Sequence, residues 1–563
     1  MNNFEEIIRK HVLKNAFDYG KANAGAVAGK VIAEHPDAKN DMKATMALIN
    51  KIIAEVSTFS KNEIEERMKR YAYAEKKEEK KELELPNAVM GKVVTRFPPE
   101  PSGYPHIGHA KAAWLDYESA RVYEGKMILR FDDTNPEKEK QEYVEAIKNG
   151  LSWLGIKWDK ESYTSDSMPE IYDYLERLIH AGKAYVCTCP KEEMSRRRAS
   201  GEECGCRTLS KKEALERWKG MLDGKYQPGD VAVRYAGDLK SQNTVMRDPS
   251  LARIMLAEHF RQGKKYRVWP SYDFAVAIID HLEGKTHPMR SKEYELRDEL
   301  YYSIFSDLGF EKPHLVEFSR LAIKNAPISK RLLKPLVDEG KVSGWDDPRL
   351  PTLAGLARRG ILPEAIRNFV LSLGLSKSES EPGWELLLAE NRKMLDPVAK
   401  HYFFVRGPVV LNVKGLEQKA KIPLHPKKGM GFREFDVSGK VYISWDDAEA
   451  LREGEVFRLK DLCNVKLTKK KAKALEGELA EDSMVPKKIQ WVADKHKIAC
   501  ELLIPHDLLD ENGNYNPNSL EIAKGYCEKG CTELKKGETI QFERLGFCRL
   551  DKKGKKLQFV FSC

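Results

Sequence analysis

The sequence predicts an α/β core built on a parallel sheet, preceded by a helical module and followed by β-barrels. Three observations carry that expectation. From Ala88 onward, apolar strand-like runs alternate with amphipathic helical runs, the pattern of a parallel sheet with helical crossovers. Before residue 86 the apolar positions recur only at helical spacing. Beyond Phe403, short β-rich runs are separated by Gly and Pro turns, as in small barrels. A chain of 563 residues, 41% of them hydrophobic, has material for several domains with separate cores.

Residues 1–86 read as helices. Apolar positions over 40–51 share one face, and Ser60 with Glu63 fits a capping box ahead of Ile64. Residues 73–84 alternate acids and bases, which suits a solvated helix or linker, and Pro86 with Asn87 ends the module. The core then opens on residues 94–109. Val94 and Thr95 favour a strand. Pro98, Pro99, Pro101 and Gly103 forbid a regular element and force a loop. A helix follows, with His106 and His109 on one face of its first turn and Gly108 leaving room at the backbone between them. A helix start carries unpaired N–H groups and a positive dipole end, so it suits a phosphate.

The next strand is 127–131, with Asp132, Asp133, Thr134, Asn135 and Pro136 at its carboxyl end, where open α/β sheets gather their ligands. Residues 142–154 form a helix. Residues from about 180 to 285 read as an insertion, with a strand over 231–235 and the basic triple Arg196, Arg197 and Arg198. The sheet pattern resumes over 272–279. Helices dominate 293–395. The β-rich region then offers strands over 408–413, 441–445, 538–547 and 558–561. No internal repeat recurs at a fixed period.

Composition narrows the class. No apolar run approaches the roughly 20 residues of a membrane span, and the N-terminus lacks a secretory signal core, so a soluble cytoplasmic protein is expected. Lys and Arg number 96 against 86 Asp and Glu, a net charge of +10 that allows a polyanionic partner. Disulfides are not expected in that compartment, so Cys187, Cys189, Cys204 and Cys206 invite a metal reading as four thiolates of a tetrahedral site. Cys527 and Cys531, four apart, fit a helix instead.

The run Val94-Thr-Arg-Phe-Pro-Pro-Glu-Pro-Ser-Gly-Tyr-Pro-His-Ile-Gly-His closely resembles the first signature of class I aminoacyl-tRNA synthetases, in their glutamyl/glutaminyl branch. Pro327-Ile-Ser-Lys-Arg resembles the second signature, a mobile lysine loop. The family's leading lysine and methionine are replaced here by Pro327 and Ile328, so only Ser329 and Lys330 take over the role. Within the branch, Arg130-Phe-Asp-Asp-Thr-Asn-Pro and the β-rich C-terminal texture resemble the archaeal type of glutamyl enzyme.

The resemblance implies a Rossmann-like catalytic domain and an activity: glutamate and ATP give glutamyl-adenylate, and the glutamyl group passes to the 3′ end of tRNA. ATP would be bound by His106, Gly108, His109, Ser329 and Lys330, with His106, His109 and Lys330 catalytic. Glutamate would be bound by Arg96, Asp132, Tyr272 and Arg290. Glutamyl enzymes have arginine at the place of Arg290, and glutaminyl enzymes a small uncharged residue. A guanidinium matches a γ-carboxylate with two parallel bonds, whereas facing an amide it would be buried and poorly paired. A glutaminyl-tRNA synthetase and a non-catalytic tRNA-binding relative are the alternatives. Arg290 speaks against the first, and His106, His109 and Lys330 against the second.

ATP brings Mg²⁺, held mainly by phosphates and water. A structural Zn²⁺ on the four cysteines is also implied. The implied partners are tRNA(Glu) and, in many members, tRNA(Gln), with no DNA or membrane partner and a monomeric state. The implied domains are a helical module (1–86), the first half of the catalytic domain (87–180), an acceptor-end-binding insertion (181–285), the second catalytic half with a helical connective region (286–395), and an anticodon-binding β-barrel region (396–563). The RNA surface would draw on Arg196–Arg198, residues 345–353, Arg358, Arg359, and the basic runs 414–428 and 466–473.

Overall fold

A computed structural model describes residues 3–20, 22–71, 83–379, 381–471 and 474–563, which fall in two compact units, Met1–Lys80 and Lys81–Cys563. The alternating charge run lies outside the described residues from 73 to 82, as do the last two residues of the basic run 466–473. Among the described residues no helix is long and apolar enough to cross a membrane.

The first unit is four helices, Asn3–Tyr19, Ala24–Glu34, Met42–Val56 and Lys61–Met68. Ile8, Val12, Val27, Val31, Ile49 and Ile52 close its core. The capping box forms: Ser60 N donates to Glu63 Oε2 at 2.7 Å, and Glu63 N to Ser60 Oγ at 3.4 Å.

The second unit begins with a three-stranded parallel sheet, Val94–Phe97, Lys126–Phe131 and Lys160–Tyr163. Parallel neighbours need crossovers. Helices Ile107–Val122 and Gln141–Trp153 supply them, burying Ile107, Val144, Ile147 and Leu151 against Leu129 and Phe131. A second parallel pair, Met289–Ser291 with Val316–Phe318, is tied to the first sheet where Val94 N donates to Thr286 Oγ1 at 2.8 Å.

One expectation is corrected. Residues 272–279 are not a strand but the first part of a helix, Tyr272–Leu282. Phe274 to Asp280 are buried without interruption. A helix enclosed on all sides has no polar face, so its period of 3.6 leaves no trace in the sequence. This helix packs with Met168–His180, Lys211–Leu222 and Asp298–Leu308 on an antiparallel sheet of Ala184–Cys187, Ala232–Tyr235, Ser250–Ile254 and Val268–Pro270.

The C-terminal region holds two seven-stranded, barrel-like sheets. One is built around the long hairpin Val409–Pro423 and Phe432–Ile443. That second strand stops at Ile443, because Ser444 caps a short helix, Trp445–Glu449. The other sheet joins His401–Tyr402 and Phe404–Arg406 to strands returning after residue 497. Cys527 and Cys531 do not share a helix: the first lies in strand Leu520–Glu528 and the second in the short 3-10 helix Lys529–Glu533. The loop between strands Lys497–Pro505 and Leu520–Glu528 of this sheet reaches the lysine segment, with Asn325 Nδ2 on Asp507 Oδ2 at 3.0 Å and Arg349 Nη1 on Ser519 Oγ at 3.1 Å.

Candidate active site

The helix Ile107–Val122 is capped by its own histidines. His106 is the N-cap: its Nδ1 accepts from Gly108 N at 3.1 Å, and His106 N donates to His109 Nδ1 at 3.2 Å. A ring nitrogen that accepts from a backbone N–H carries no proton, so both neutral rings hold theirs on Nε2. The rings lie 4.0 Å apart. Burial, then the neighbouring imidazole, holds His106 well below the ordinary histidine range, and burial takes His109 down to about 4. The pair therefore offers two neutral N–H donors at a helix start. Gly108 is required by His106 itself: a Cβ there would lie 2.9 Å from His106 Cε1.

Lys330 opens the helix Lys330–Asp338, with Ser329 as its N-cap. Its Nζ donates to the Ser102 carbonyl and to Tyr143 Oη at 3.2 Å, 4.5 Å from the centre of the Tyr143 ring. Burial lowers its pKa. The segment that follows grips the first loop. Tyr104 stacks on Trp345 at 4.9 Å, Ile107 N donates to Pro351 O at 3.0 Å, and Leu353 N to Pro105 O at 2.9 Å. The two signatures, some 220 residues apart in sequence, thus meet (Ser102 to Lys330 spans 228).

The four expected glutamate ligands gather around Tyr272, whose hydroxyl pKa is raised by burial and feels the charges of Arg96, Asp132 and Arg290. Arg96 is fully buried. Its Nε is 3.2 Å from Asp280 Oδ1, and its Nη1 donates to the Met289 carbonyl. Arg130 Nη1 reaches the same Asp280 oxygen at 2.7 Å, and Arg130 Nε reaches Asp132 Oδ1 at 2.9 Å. Burial would raise Asp280, but Arg96 and Arg130 outweigh it and hold the carboxyl down to about 2. Asp132 Oδ1 also accepts from Thr164 Oγ1 at 2.9 Å, while Oδ2 is buried with no partner. Arg290 bonds Asp298 through Nη2 and lies 5.3 Å from the Tyr301 ring, while its Nε is buried and unpartnered. Buried polar atoms are normally paired, yet Asp132 Oδ2, Arg290 Nε and Arg130 Nη2 all lack a hydrogen-bond partner here.

Sequence reasoning missed Asp280 and Arg130, the ion pair beneath this pocket. The signal was present: a lone acid in Phe-Ala-Val-Ala-Ile-Ile-Asp and a lone base in Met-Ile-Leu-Arg-Phe are charges inside apolar runs, and buried charges must be paired.

The four cysteine sulfurs all lie within 4.8 Å of one another, with Cys187–Cys204 and Cys189–Cys206 at 3.9 Å. Tetrahedral thiolates about 2.3 Å from zinc sit roughly 3.8 Å apart, so this donor set fits that ion and is too open for disulfides. Cys206 accepts from Thr188 N at 3.5 Å and Arg217 Nη1 at 3.2 Å. These bonds overcome burial and lower its thiol to about 7.

The expected RNA surface is only partly exposed. Arg198 turns inward onto the carbonyls of Arg247 and Thr244, and Arg197 pairs with Glu193. Arg359 is buried over Trp384 and Arg358 is bound to Asp551, which removes Arg359 from any RNA contact.

The model for the catalytic domain of the class I tRNA synthetases (E and Q) matches residues 92–397 of this chain. Two models for the anti-codon binding domain of the same enzymes match 399–485 and 488–551. Among proteins of similar sequence, a glutamate–tRNA ligase of Nitrosopumilus maritimus is 46% identical over 97% of both chains. One of Pyrococcus furiosus is 42% identical over 97% of both, and one of Korarchaeum cryptofilum 38% identical over the whole of both.

Proposed function

The chain belongs to the class I tRNA synthetases of the E and Q group, and we propose from that premise that it is a glutamate–tRNA ligase. It activates glutamate with ATP and esterifies the 3′ end of tRNA(Glu); whether tRNA(Gln) is a second acceptor is decided by the charging assay below. The observation that carries the pocket assignment is the pair of buried, unpartnered atoms, Asp132 Oδ2 and Arg290 Nε, among the charges around Tyr272. An amino acid with an ammonium and a second carboxylate satisfies both.

In this reading Asp132 Oδ2 takes the ammonium, Arg290 the γ-carboxylate, and Tyr272 a hydroxyl contact. Arg96 faces the same substrate while Asp280 holds its guanidinium still. An α-carboxylate oxygen attacks the α-phosphorus of ATP, the bond to the bridging oxygen breaks, and pyrophosphate leaves. Negative charge grows on the phosphate oxygens, so the protein's task is positioning and charge stabilisation. The Nε2–H groups of His106 and His109 donate to those oxygens beside Gly108. Lys330, with Ser329, exchanges the Ser102 carbonyl for the leaving phosphates. Mg²⁺ travels with ATP and neutralises the phosphate charge. The ribose hydroxyl of the terminal adenosine then attacks the activated carbonyl, and AMP leaves.

Zinc on Cys187, Cys189, Cys204 and Cys206 would clamp the loop between the first sheet strand of the insertion and the helix at Lys211–Leu222. We further assign 181–285 to the acceptor end of tRNA, and the protein to the cytoplasm as a monomer. Charging of purified transcripts with glutamate and with glutamine tests the amino acid and the tRNA range together.

A further inference from the structure

Asp133, the second acid after the strand Lys126–Phe131, has no part in the proposed reaction, yet it is fully buried. Its Oδ1 accepts from Ser165 N at 2.8 Å and its Oδ2 from Ser165 Oγ at 2.7 Å. Beside it lie Glu139 and His259, whose side chains are completely enclosed. His259 comes from the inserted region. It opens a tight turn closed by two bonds with Gly263, at 3.0 and 2.8 Å, and its ring stacks on Trp269 at 4.9 Å.

The tautomer of His259 follows from its partners. Nδ1 accepts from Arg261 N at 3.2 Å and Gln262 N at 3.0 Å, so the proton of the neutral ring is on Nε2. That N–H donates to the main-chain carbonyl of Asp133 at 3.1 Å and stands 3.6 Å from Asp133 Oδ2 and 3.5 Å from Glu139 Oε2. An imidazole of the insertion therefore holds the backbone of the residue next to Asp132.

Burial, helped by the charge of Arg261, keeps the ring neutral against the pull of Asp133 and Asp166. Arg261 lies 3.9 Å from Asp133 Oδ2 and spends its guanidinium on Asp166 and the Tyr163 ring. Glu139 Oε1 accepts from Asn135 N at 2.8 Å, its Oε2 has no hydrogen-bond partner, and Glu100 and Asp132 add negative potential to it. Burial raises Asp133 to about 7 and Glu139 to about 8 and lowers His259. Near neutral pH the cluster thus retains a carboxyl proton, and the imidazole acts as a single N–H donor.

We propose that His259 is a positioning residue for glutamate: by fixing the carbonyl of Asp133 it holds the 132–135 loop, keeps the free oxygen of Asp132 in place for the substrate ammonium, and links the inserted region to the amino-acid pocket. The inference rests on the reading of Asp132 as the ammonium ligand.

Two variants separate positioning from simple packing. His259→Phe keeps a ring against Trp269 and removes both the donor and the Nδ1 acceptor of Arg261 N and Gln262 N, while His259→Gln keeps an N–H donor of similar reach. The full chain is assayed by ATP–pyrophosphate exchange with tRNA present, reading KM for glutamate and for ATP separately, beside a thermal melt. His259→Phe should raise the glutamate KM about tenfold, the scale set when a buried carbonyl loses its donor, with the ATP KM unchanged. His259→Gln should recover most of that. An unchanged glutamate KM, an equal rise for both substrates, or no recovery by Gln overturns the inference. If His259→Phe does not fold, His259→Asn, too short to reach the carbonyl, must show the same selective rise. Asp132→Asn is the control. A glutamate KM that responds to Asp132→Asn and not to His259→Phe rejects only the role of His259; one that ignores Asp132→Asn rejects the pocket assignment as well.

Discussion

Lys330 donates from Nζ to the main-chain carbonyl of Ser102, 228 residues earlier in the chain. The contact joins the start of one helix to the loop that leads into another, the one capped by His106 and His109. A lysine on a neutral carbonyl is readily drawn to a polyphosphate, because a full opposite charge outbids a dipole. Removing it by Lys330→Ala should lower ATP–pyrophosphate exchange by about 3 to 4 kcal/mol in barrier, roughly a hundred- to a thousandfold, while tRNA binding stays near normal. Near-normal exchange would take Lys330 out of the mechanism.

Arg290 should govern the choice of amino acid rather than the fold. Arg290→Ala should cut kcat/KM for glutamate by about a hundredfold or more, since the γ-carboxylate is left buried without its charge partner. The melting temperature should fall little, because the Asp298 that Arg290 now pairs with is more than a quarter exposed and can be resolvated. Glutamate kinetics that do not change would remove Arg290 from the pocket.

The histidine cap should make the first loop acid-sensitive. His109 is neutral in the fold with a pKa of about 4, against about 6.5 unfolded. As pH falls below about 6.5 the unfolded chain takes up a proton that the folded one refuses, so stability declines from there to about pH 4 and no further. The loss is at most about 3 kcal/mol, and less in so far as the ring edge keeps some water. Denaturant unfolding of the wild type and His109→Asn at pH 8, 6.5 and 5 reads it as a stability difference that shrinks on acidification. A pH-independent difference would mean that His109 does not titrate in this window.

The cysteine cluster should hold one zinc ion per chain when the protein is prepared without chelators. Elemental analysis measures the ratio, and Cys204→Ser should lower it. A preparation with no metal and unchanged tRNA charging would leave four reduced thiols as the correct description.

What the sequence discloses depends on how local the cause is. The strand, proline loop and capped helix of residues 94–122 are readable because each rule acts over a few residues. The four clustered cysteines are readable because the partners lie within twenty residues of one another. The enclosed helix Tyr272–Leu282 is not, because full burial erases its periodicity. The pairing of Arg96 with Asp280 is not, because its partners are 184 residues apart and only the fold joins them. The barrels themselves are legible, but the pairing in the last sheet is not, as two strands near residue 401 wait for partners beyond residue 497. At Cys527 and Cys531 a helical spacing instead straddles a strand end and a short 3-10 helix.

The most direct test of the account is aminoacylation by the purified full chain, with glutamate and glutamine offered separately to transcripts of tRNA(Glu) and tRNA(Gln). Arg290 and Asp132 predict that glutamate is attached to tRNA(Glu), with ATP converted to AMP and pyrophosphate, and that glutamine is not used. Attachment of glutamine in place of glutamate would contradict the central claim.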